Sequence, residues 1–502
     1  MTLASLFRYP GYLAVVLCGV TFLSWPGPVL AVPSLTRGPY PQMPTADGIT
    51  IVWRSRAIML PQLVVQNLKG EHVTTVNSEK IIMRRTSAEG VSSTSVKPLY
   101  AAPEGTLQFE ASVNGLTPNT AYLYSILDAG QQVTPRDGSC RFETLPLPGK
   151  SQPFKFWVVG DSGTASESQK AVYHAFLAWE KKNKPVNFYM HVGDMAYTKG
   201  SDSEFQYSFF DIYGDRLRGL SCWPAMGNHE GGTAKGTTAT GPYFDAYVCP
   251  AEGQCGGLPS GTESYYSWDY GTTHFICLNS HDMPRSATGA MAQWLKADLE
   301  KTKAEWVIAY WHHPPYTKGS HDSDKEKDLV EIREQILPIC ETGGVDVVFT
   351  GHSHVYERSM LLDGAYSTPT VATNGVLDDR SGDPGKREPY HKMPGITPNG
   401  GTIQVVTGHG GQALSRKPHP SPVMNCTITE WGSLIVSVDG NTLTGIMINT
   451  EGETRDTFAI IKDAKATPAR IASPRPPGKP QGPERLKSYG KSKVVMPDAA
   501  DP

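Results

Sequence analysis

Five short segments of the chain concentrate the side chains that bind metal ions and transfer protons. In chain order they are Gly160-Asp161-Ser162-Gly163, Gly193-Asp194-Met195-Ala196-Tyr197, Gly227-Asn228-His229-Glu230, His312-His313-Pro314-Pro315-Tyr316 and Gly351-His352-Ser353-His354. Two carboxylates, a phenol, an amide oxygen and three imidazoles form a hard-to-borderline donor set that suits iron, zinc or manganese. One Asp-Gly loop is usually only a turn, but five such segments together indicate a shared site.

The number of donors predicts more than one metal ion. Seven ligands exceed the capacity of a tetrahedral ion, but they fit two five- or six-coordinate ions that share one carboxylate. Such ions keep open positions for water and substrate. Paired ions about 3.5–4 Å apart can stabilise the attacking and leaving oxygens of a phosphoryl transfer. The donor set is therefore compatible with two-metal phosphoryl-transfer chemistry.

Predicted strands must position these segments. Apolar runs predict strands over residues 154–159, 186–192, 273–278, 306–311, 345–349 and 402–406. Thr164 and Glu167 form a capping-box pattern before a helix that continues to about Trp179. Two further helices are predicted over residues 290–303 and 325–340. Since strands of shared direction bring their carboxyl-terminal loops to one sheet edge, we expect the five segments to converge there.

The ordered set GDSG, GDMAY, GNHE, HHPPY and GHSHVYERS resembles the binuclear metallophosphoesterases of the calcineurin-like superfamily, and specifically the purple acid phosphatases. Tyr197 narrows the resemblance, because most other metallophosphoesterases lack a tyrosine at that position. The resemblance extends from about Ser34 to about Lys462. It implies a phosphoric monoester hydrolase of the acid phosphatase type, with a phosphodiesterase or nucleotide hydrolase as the alternative. A non-enzymatic binding protein is disfavoured, since every expected ligand position is filled.

The resemblance also implies a role for each candidate ligand. The first metal would be held by Asp161, Asp194, Tyr197 and His354, and the second by Asp194, Asn228, His312 and His352. The bridging group would be Asp194. The phenolate of Tyr197 favours Fe(III) at the first position, and the second ion is left open as Zn, Fe(II) or Mn(II). His312 is chosen over His313 because the family pattern is ligand, any residue, proline.

In the mechanism that the resemblance implies, a hydroxide activated by the two metals attacks phosphorus in line. His229 and His321 match family histidines that contact phosphate and protonate the leaving alkoxide. Asp322 and Asp324 could orient His321 or cap the following helix. Other histidines are interpreted as structural, namely His191, His274 and His281. For His191, support of Asp194 is the functional alternative.

The predicted fold class is multidomain, with an N-terminal all-β sandwich followed by an α/β/β/α metallophosphoesterase sandwich. Residues 32–146 read as short strands and turns, and residues 115–125 resemble a segment of fibronectin type III-like domains. A Pro-rich linker at residues 145–149 precedes the catalytic domain, which is predicted to span residues 152–462. Residues 434–438 and 443–448 predict a terminal hairpin.

Both ends of the chain carry patterns distinct from the predicted domains. Residues 1–31 combine Arg8, an apolar run and Ala31, which is typical of a signal peptide cleaved after Ala31. This predicts a secreted or periplasmic protein, with an uncleaved membrane anchor as the alternative. Residues 463–502 contain eight prolines and eight Lys+Arg with few apolar groups, and they are predicted to be disordered.

Composition limits the partners. With 46 Lys+Arg and 49 Asp+Glu the formal charge is −3, which does not favour nucleic-acid binding. No segment after the predicted signal peptide is apolar enough for stable membrane insertion. The expected partner is the phosphate ester substrate that the resemblance implies. The oligomeric state is left open. Of eight cysteines, Cys249 and Cys255 bracket a short loop and are predicted to form a disulfide in an oxidising compartment.

Overall fold

The computed structural model describes residues 35–85 and 101–464. The predicted signal peptide and nearly all of the predicted disordered tail lie outside these described residues. Among the helices of the described ranges, none combines the length and hydropathy needed to cross a membrane.

The first described strands form two antiparallel sheets that share one apolar core. The strands are β1 (Leu35–Gln42), β2 (Ile49–Ser55), β3 (Pro61–Asn67), β4 (His72–Val76), β5 (Ile82–Arg85), β6 (Leu107–Val113), β7 (Ala121–Asp128), β8 (Gln131–Gln132) and β9 (Arg141–Glu143). One sheet has the order β1-β2-β6-β5, and the other has β4-β3-β7-β8 with β9 beside β7. Trp53 and Phe109 of the first sheet pack in the same core as Leu63 and Ile126 of the second. The sandwich is as predicted, and its likeness to fibronectin type III domains stays a prediction.

From residue 154 to residue 350 helices are interspersed among the strands, and the strands after residue 350 follow one another without an α-helix between them. The strands are β10 (Phe154–Val159), β11 (Phe188–His191), β12 (Cys222–Pro224), β13 (Tyr266–Tyr270), β14 (Thr273–Cys277), β15 (Trp306–Tyr310), β16 (Val347–Thr350), β17 (Tyr356–Ser359), β18 (Leu361–Leu362), β19 (Val376–Asp378), β20 (Tyr390–Lys392), β21 (Ile403–Thr407), β22 (Met424–Ile428), β23 (Gly432–Asp439), β24 (Thr442–Asn449) and β25 (Thr454–Lys462). The helices are α1 (Glu167–Lys182), α2 (Asp202–Glu204), α3 (Asp211–Leu217), α4 (Pro242–Ala246), α5 (Ala290–Lys301), α6 (Lys327–Glu331) and α7 (Leu337–Thr342). Short π-helical segments over residues 205–210 and 332–336 join α2 to α3 and α6 to α7.

Two seven-stranded sheets pack face to face in this part of the chain. Their orders are β12-β11-β10-β23-β24-β25-β20 and β13-β14-β15-β16-β21-β17-β22. Phe156 joins them, with its ring centroid 5.6 Å from Phe275 and 6.1 Å from Phe349. On the outer face of the first sheet, Trp157 stacks on Phe176 of α1 at 4.1 Å, and α5 and α7 share a core with the second sheet. The layers are therefore helix, sheet, sheet and helix, as predicted.

The strands that lead into the candidate site are parallel within each sheet. β10, β11 and β12 run parallel to one another, and so do β14, β15, β16 and β21. β23 is antiparallel to β10 and pairs with β24 as the predicted terminal hairpin. The expected convergence of loops at carboxyl-terminal strand ends therefore has its structural basis in both sheets.

Two local predictions are wrong. The N-cap of α1 is Ser166, whose side chain accepts a hydrogen bond from the Gln169 amide, because Ala165 has a φ of +55° and separates Thr164 from the helix. The Cys249–Cys255 disulfide is not formed, and both residues are buried free cysteines. The Cys255 thiol instead donates a hydrogen bond to the Pro44 carbonyl at 3.2 Å, so it is directed towards the N-terminal sandwich.

Candidate metal centre

The five polar segments follow β10, β11, β12, β15 and β16, and they meet where the two central sheets end. Asp161, Asp194 and His352 adopt left-handed backbone conformations with φ values of +54°, +58° and +66°. Such strain is concentrated at functional sites. A Cβ atom at Gly193 would lie 2.5 Å from His312 Nδ1, so the glycine before Asp194 permits the close approach of these two segments.

The two carboxylates and the phenol form the buried side of the cluster. The Tyr197 hydroxyl donates to Asp194 Oδ2 at 3.1 Å and lies 3.3 Å from Asp161 Oδ1. Asp161 and Asp194 are 0% and 1% exposed. His354 Nε2 lies 3.6 Å from Asp161 Oδ1 and 3.5 Å from the Tyr197 oxygen. These four side chains are the ones predicted to hold the first metal.

The second predicted set meets the first at the same Asp194 oxygen, Oδ2. His312 Nε2 lies 3.2 Å from Asp194 Oδ2 and 2.9 Å from Asn228 Oδ1. His352 presents its Nδ1 to the same Asn228 oxygen at 3.0 Å. Asp194 therefore touches members of both sets, as a bridging ligand would.

A second hydrogen bond fixes which ring nitrogen of His312, and which of His354, faces the cluster. His312 Nδ1 donates to the Val192 carbonyl at 2.9 Å, and His354 Nδ1 donates to the Ala413 carbonyl at 3.1 Å. In the neutral rings this leaves the Nε2 lone pairs directed inwards. Among the described residues, the basic groups within 4 Å of Asp161 and Asp194 are histidines and not Lys or Arg. The donor set thus fits bound cations.

Burial and neighbouring charge set the protonation of these groups. Burial lowers the pKa of His352 to about 3 and that of His354 to about 4, so both rings are neutral at physiological pH. Burial also raises the pKa of Asp161 well above its usual value. Burial alone would raise the pKa of Asp194 too, but His312 lowers it well below its usual value. The carboxylates of Asp194 and Asp161 outweigh burial at His312 and raise its pKa to about 9, so this ring carries a proton that a bound cation would displace. Neutral imidazoles beside a carboxylate are the ligand forms that metals require.

The two predicted catalytic histidines lie beside the cluster, each with about a third of its side chain exposed. His229 Nδ1 donates to the Thr198 carbonyl at 2.7 Å, and its Nε2 lies 3.9 Å from Asp194 Oδ2. His321 stacks on His352 with ring centroids 3.7 Å apart. The partner of His321 is Glu326, at 2.8 Å from Nδ1. This contact corrects the two alternatives considered for Asp322 and Asp324, which pair with Lys318 instead.

Glu230 is a residue of the candidate site that sequence reasoning missed. Its buried carboxylate accepts hydrogen bonds from the amides of Asp194, Met195, Ala196 and Gly227 at 2.8–3.1 Å. These bonds tie the segment that carries Asp194 to the segment that carries Asn228. Burial raises the pKa of Glu230 to about 7. The available signal was an acid directly after His229, inside a segment whose neighbours are ligands.

Two neighbouring histidines are held away from the cluster. His313 Nδ1 bonds the Ser280 hydroxyl at 2.9 Å, whereas the adjacent His312 faces the carboxylates, which supports the choice of His312. His191 Nε2 contacts Ser162 Oγ at 2.9 Å, and its Nδ1 accepts from the Gly193 amide at 3.2 Å. Both ring nitrogens of His191 are therefore satisfied, in agreement with its structural interpretation.

Comparisons with known proteins agree with the family resemblance. The model of the calcineurin-like phosphoesterase family matches residues 154–356. Purple acid phosphatase 23 from Arabidopsis thaliana is 29% identical over 314 residues, which cover 55% of this chain and 64% of the relative. Purple acid phosphatase 15 from the same plant is 28% identical over 302 residues, covering 55% and 53%. The chain thus spans less than two thirds of the length of either relative.

A solved structure shares the fold. Purple acid phosphatase PPD1 from yellow lupin (Lupinus luteus) seeds has a TM-score of 0.65 and 19% identity, covering 86% of this chain and 74% of the lupin chain. At that identity the likeness concerns the fold alone. The family match, the relatives and this fold agree with the site geometry: the chain carries a calcineurin-like phosphoesterase domain at residues 154–356 and is a homologue of the purple acid phosphatases.

Proposed function

We propose that the protein is a two-metal phosphoric ester hydrolase of the acid phosphatase type, acting on monoesters after export from the cytoplasm. The observation that carries this proposal is the convergence of all seven predicted donors in one cluster, in which Tyr197 and His312 both contact the Asp194 carboxylate. Homology to purple acid phosphatases supports hydrolysis of a phosphate ester. The signal-peptide pattern of residues 1–31 supports export.

The proposed ligands form the two sets of side chains that are in contact in the structure. The first metal is held by Asp161, Asp194, Tyr197 and His354, and the second by Asp194, Asn228, His312 and His352. When bound, the pair of ions supplies Lewis acidity, lowering the pKa of water and neutralising charge on the phosphoryl oxygens. The phenolate oxygen of Tyr197 favours Fe(III) at the first position.

His229 and His321 supply the proton that an alkoxide leaving group needs. The Thr198 carbonyl accepts from His229 Nδ1, which leaves Nε2 on the side of the ring that faces Asp194. Glu326 holds Nδ1 of His321 in the same way. Burial opposes ionisation of Glu326, but hydrogen bonds from His321 and His352 lower its pKa. The Glu326 carboxylate thus fixes the orientation of the His321 ring, as proton transfer to a leaving group requires.

The test combines metal analysis with turnover. The mature protein is assayed for iron, zinc and manganese, its visible spectrum is recorded, and para-nitrophenyl phosphate and bis(para-nitrophenyl) phosphate are each assayed from pH 4 to 9. We expect two metals per chain, a tyrosinate-to-Fe(III) band that the Tyr197→Phe variant loses, and faster turnover of the monoester. A colourless active protein with zinc or manganese contradicts the Fe(III) assignment. Faster turnover of the diester moves the proposal to a phosphodiesterase, and a metal-free inactive protein rejects it.

A further inference from the structure

Two buried arginines of the N-terminal sandwich extend into the phosphoesterase part of the chain. Arg37 of β1 and Arg54 of β2 are 3% and 2% exposed. Arg54 Nη1 lies 2.5 Å from Asp202 Oδ1, and Arg37 Nη2 lies 3.2 Å from the same oxygen. Arg37 Nη2 also donates to the Asp202 main-chain carbonyl at 3.0 Å. Both arginines therefore converge on the first residue of α2.

Further contacts fix the direction of this attachment. Arg37 Nε donates to Gln206 Oε1 at 2.8 Å, and its guanidinium lies 4.4 Å from the centroid of the Phe210 ring. Desolvation makes buried ion pairs weak as a source of net stability, but breaking one partner leaves an uncompensated charge. The charged groups of such a pair must therefore stay in contact, which fixes the relative position of the two segments that carry them. The sandwich holds the start of this helical segment at defined atoms and not merely by apolar packing.

The held segment is bonded in turn to the loop that carries Tyr197. The Glu204 carboxylate of α2 accepts hydrogen bonds from the amides of Thr198 and Lys199 at 2.5 and 3.1 Å. The Tyr207 hydroxyl donates to the Tyr197 carbonyl at 3.2 Å. Residues 197–199 are thus fixed to α2 and its continuation through both side-chain and main-chain groups.

The last link reaches a catalytic group. The Thr198 carbonyl, on the loop that Glu204 fixes, accepts the hydrogen bond from His229 Nδ1. The His229 ring also packs on Tyr197 with centroids 4.2 Å apart. A path of ion pairs, the backbone of α2 and hydrogen bonds therefore runs from Arg37 and Arg54 to the imidazole of His229.

We propose that Arg37, Arg54 and Asp202 are positioning residues, through which the N-terminal sandwich orients His229 for protonation of the leaving group. This inference rests on the proposed phosphoesterase function. It makes the sandwich a part of the active-site support and not an independent adhesion module. Because catalysis depends steeply on the placement of reacting groups, loosening this attachment should reduce acid catalysis before it affects metal binding.

The test uses Asp202→Asn, with Arg84→Ala as the matched control. Arg84 is 63% exposed at its side chain and pairs with Glu110 inside the sandwich at 3.2 Å. One readout is hydrogen–deuterium exchange of residues 197–204, which needs no activity. The other is kcat for phenyl phosphate, whose leaving group needs a proton, against 2,4-dinitrophenyl phosphate, whose leaving group does not.

For Asp202→Asn we expect faster exchange over residues 197–204 and about tenfold lower kcat on phenyl phosphate. We also expect less than about threefold change on the dinitrophenyl ester and unchanged metal content, with Arg84→Ala like the wild type in every readout. Unchanged exchange, or equal losses on both esters, overturns the proposal.

Two cases need a separate decision, a variant that does not fold and a wild type without activity. If Asp202→Asn does not fold, Arg54→Met, which leaves Asp202 paired with Arg37, decides by the same two readouts. If the wild type hydrolyses neither ester, the proposed function fails. The exchange of residues 197–204 then decides alone whether the sandwich fixes the loop.

Discussion

Two buried clusters among the described residues combine histidine with aspartate. In the first, the closed cluster, the chain supplies a hydrogen-bond partner for each facing donor and acceptor. In the second, the candidate metal centre or open cluster, some acceptors face one another without a donor. In the first, His274 is 2% exposed and lies between Asp269 and Asp298, with ring nitrogen to carboxylate distances of 2.7 and 2.8 Å. Asp298 Oδ1 accepts further bonds from the Leu258 amide and the Ser267 hydroxyl. Both ring N–H groups and the facing oxygens of this cluster are therefore satisfied by the chain itself.

The candidate metal centre has an excess of acceptors. His354 donates its Nδ1 proton to a main-chain carbonyl, so the Nε2 of its neutral ring presents a lone pair towards Asp161 Oδ1 at 3.6 Å. Asn228 Oδ1 lies 2.9 Å from His312 Nε2. Asn228 Oδ1 also faces His352 Nδ1. Buried acceptors without donors are unfavourable unless a proton or cation is shared among them. Similar residue types thus build a structural element in one place and a cation site in the other.

The largest effect is expected from removing the shared carboxylate of the open cluster. Asp194→Ala should abolish metal binding and lower turnover by at least about 10³-fold, because both ions lose a ligand. The matched change in the closed cluster, Asp269→Ala, should leave metal content and turnover near those of the wild type while lowering stability. Metal analysis and para-nitrophenyl phosphate turnover measure both variants. Retained metal and activity in Asp194→Ala would contradict the two-metal assignment and remove the distinction between the clusters.

A smaller effect is expected from the group that supports the open cluster without being a proposed ligand. Glu230→Gln keeps the shape of the side chain but replaces one acceptor of the loop amides with a donor. We expect metal affinity or kcat to fall by about 10–100-fold. Metal titration followed by turnover at saturating metal separates the two effects. Behaviour like the wild type would show that the loop amides do not need this carboxylate.

The smallest effect concerns the pH dependence of the closed cluster. Burial alone would lower the pKa of His274, but hydrogen bonds to Asp269 and Asp298 raise it to about 9. A raised pKa stabilises the folded state fully below the unfolded value near 6.5, and this contribution is lost as the pH rises through about 9. Relative to His274→Gln, the wild type should lose about 3 kcal/mol of unfolding free energy between pH 6 and 10. Urea unfolding at both pH values measures the difference, and a constant difference would refute the charged closed cluster.

Several elements followed directly from local patterns. The strand β10 spans residues 154–159 as predicted, and α5 begins at Ala290 as predicted. Apolar runs of this length are buried strands because the α/β architecture covers both faces of the sheet. The helical start at Thr164 was wrong, because a left-handed residue between two possible caps leaves no trace in the periodicity. The predicted disulfide was wrong because proximity in sequence does not fix the direction of a thiol.

The metal-ligand residues of the site could be predicted, because few residue types can bind a metal ion. Asp194 and His312 could be chosen from their segments and the family resemblance, and the structure brings them within 3.2 Å. Glu230 and Glu326 could not be assigned, because an acid one or five residues after a histidine is equally compatible with an exposed side chain. Their roles depend on which main-chain amides and ring nitrogens the folded loops turn towards them.

The sequence by itself determined the chemical character of this protein: the donor types, their order and the strands that end beside them. These follow from side-chain chemistry and from local periodicity, which act over a few residues. Only the tertiary structure decided which histidine–carboxylate cluster is closed and which is open. It alone also joined Arg37 and Arg54 to Asp202 across some 150 residues of chain. Such contacts depend on the relative placement of whole sheets, on which local sequence carries no information.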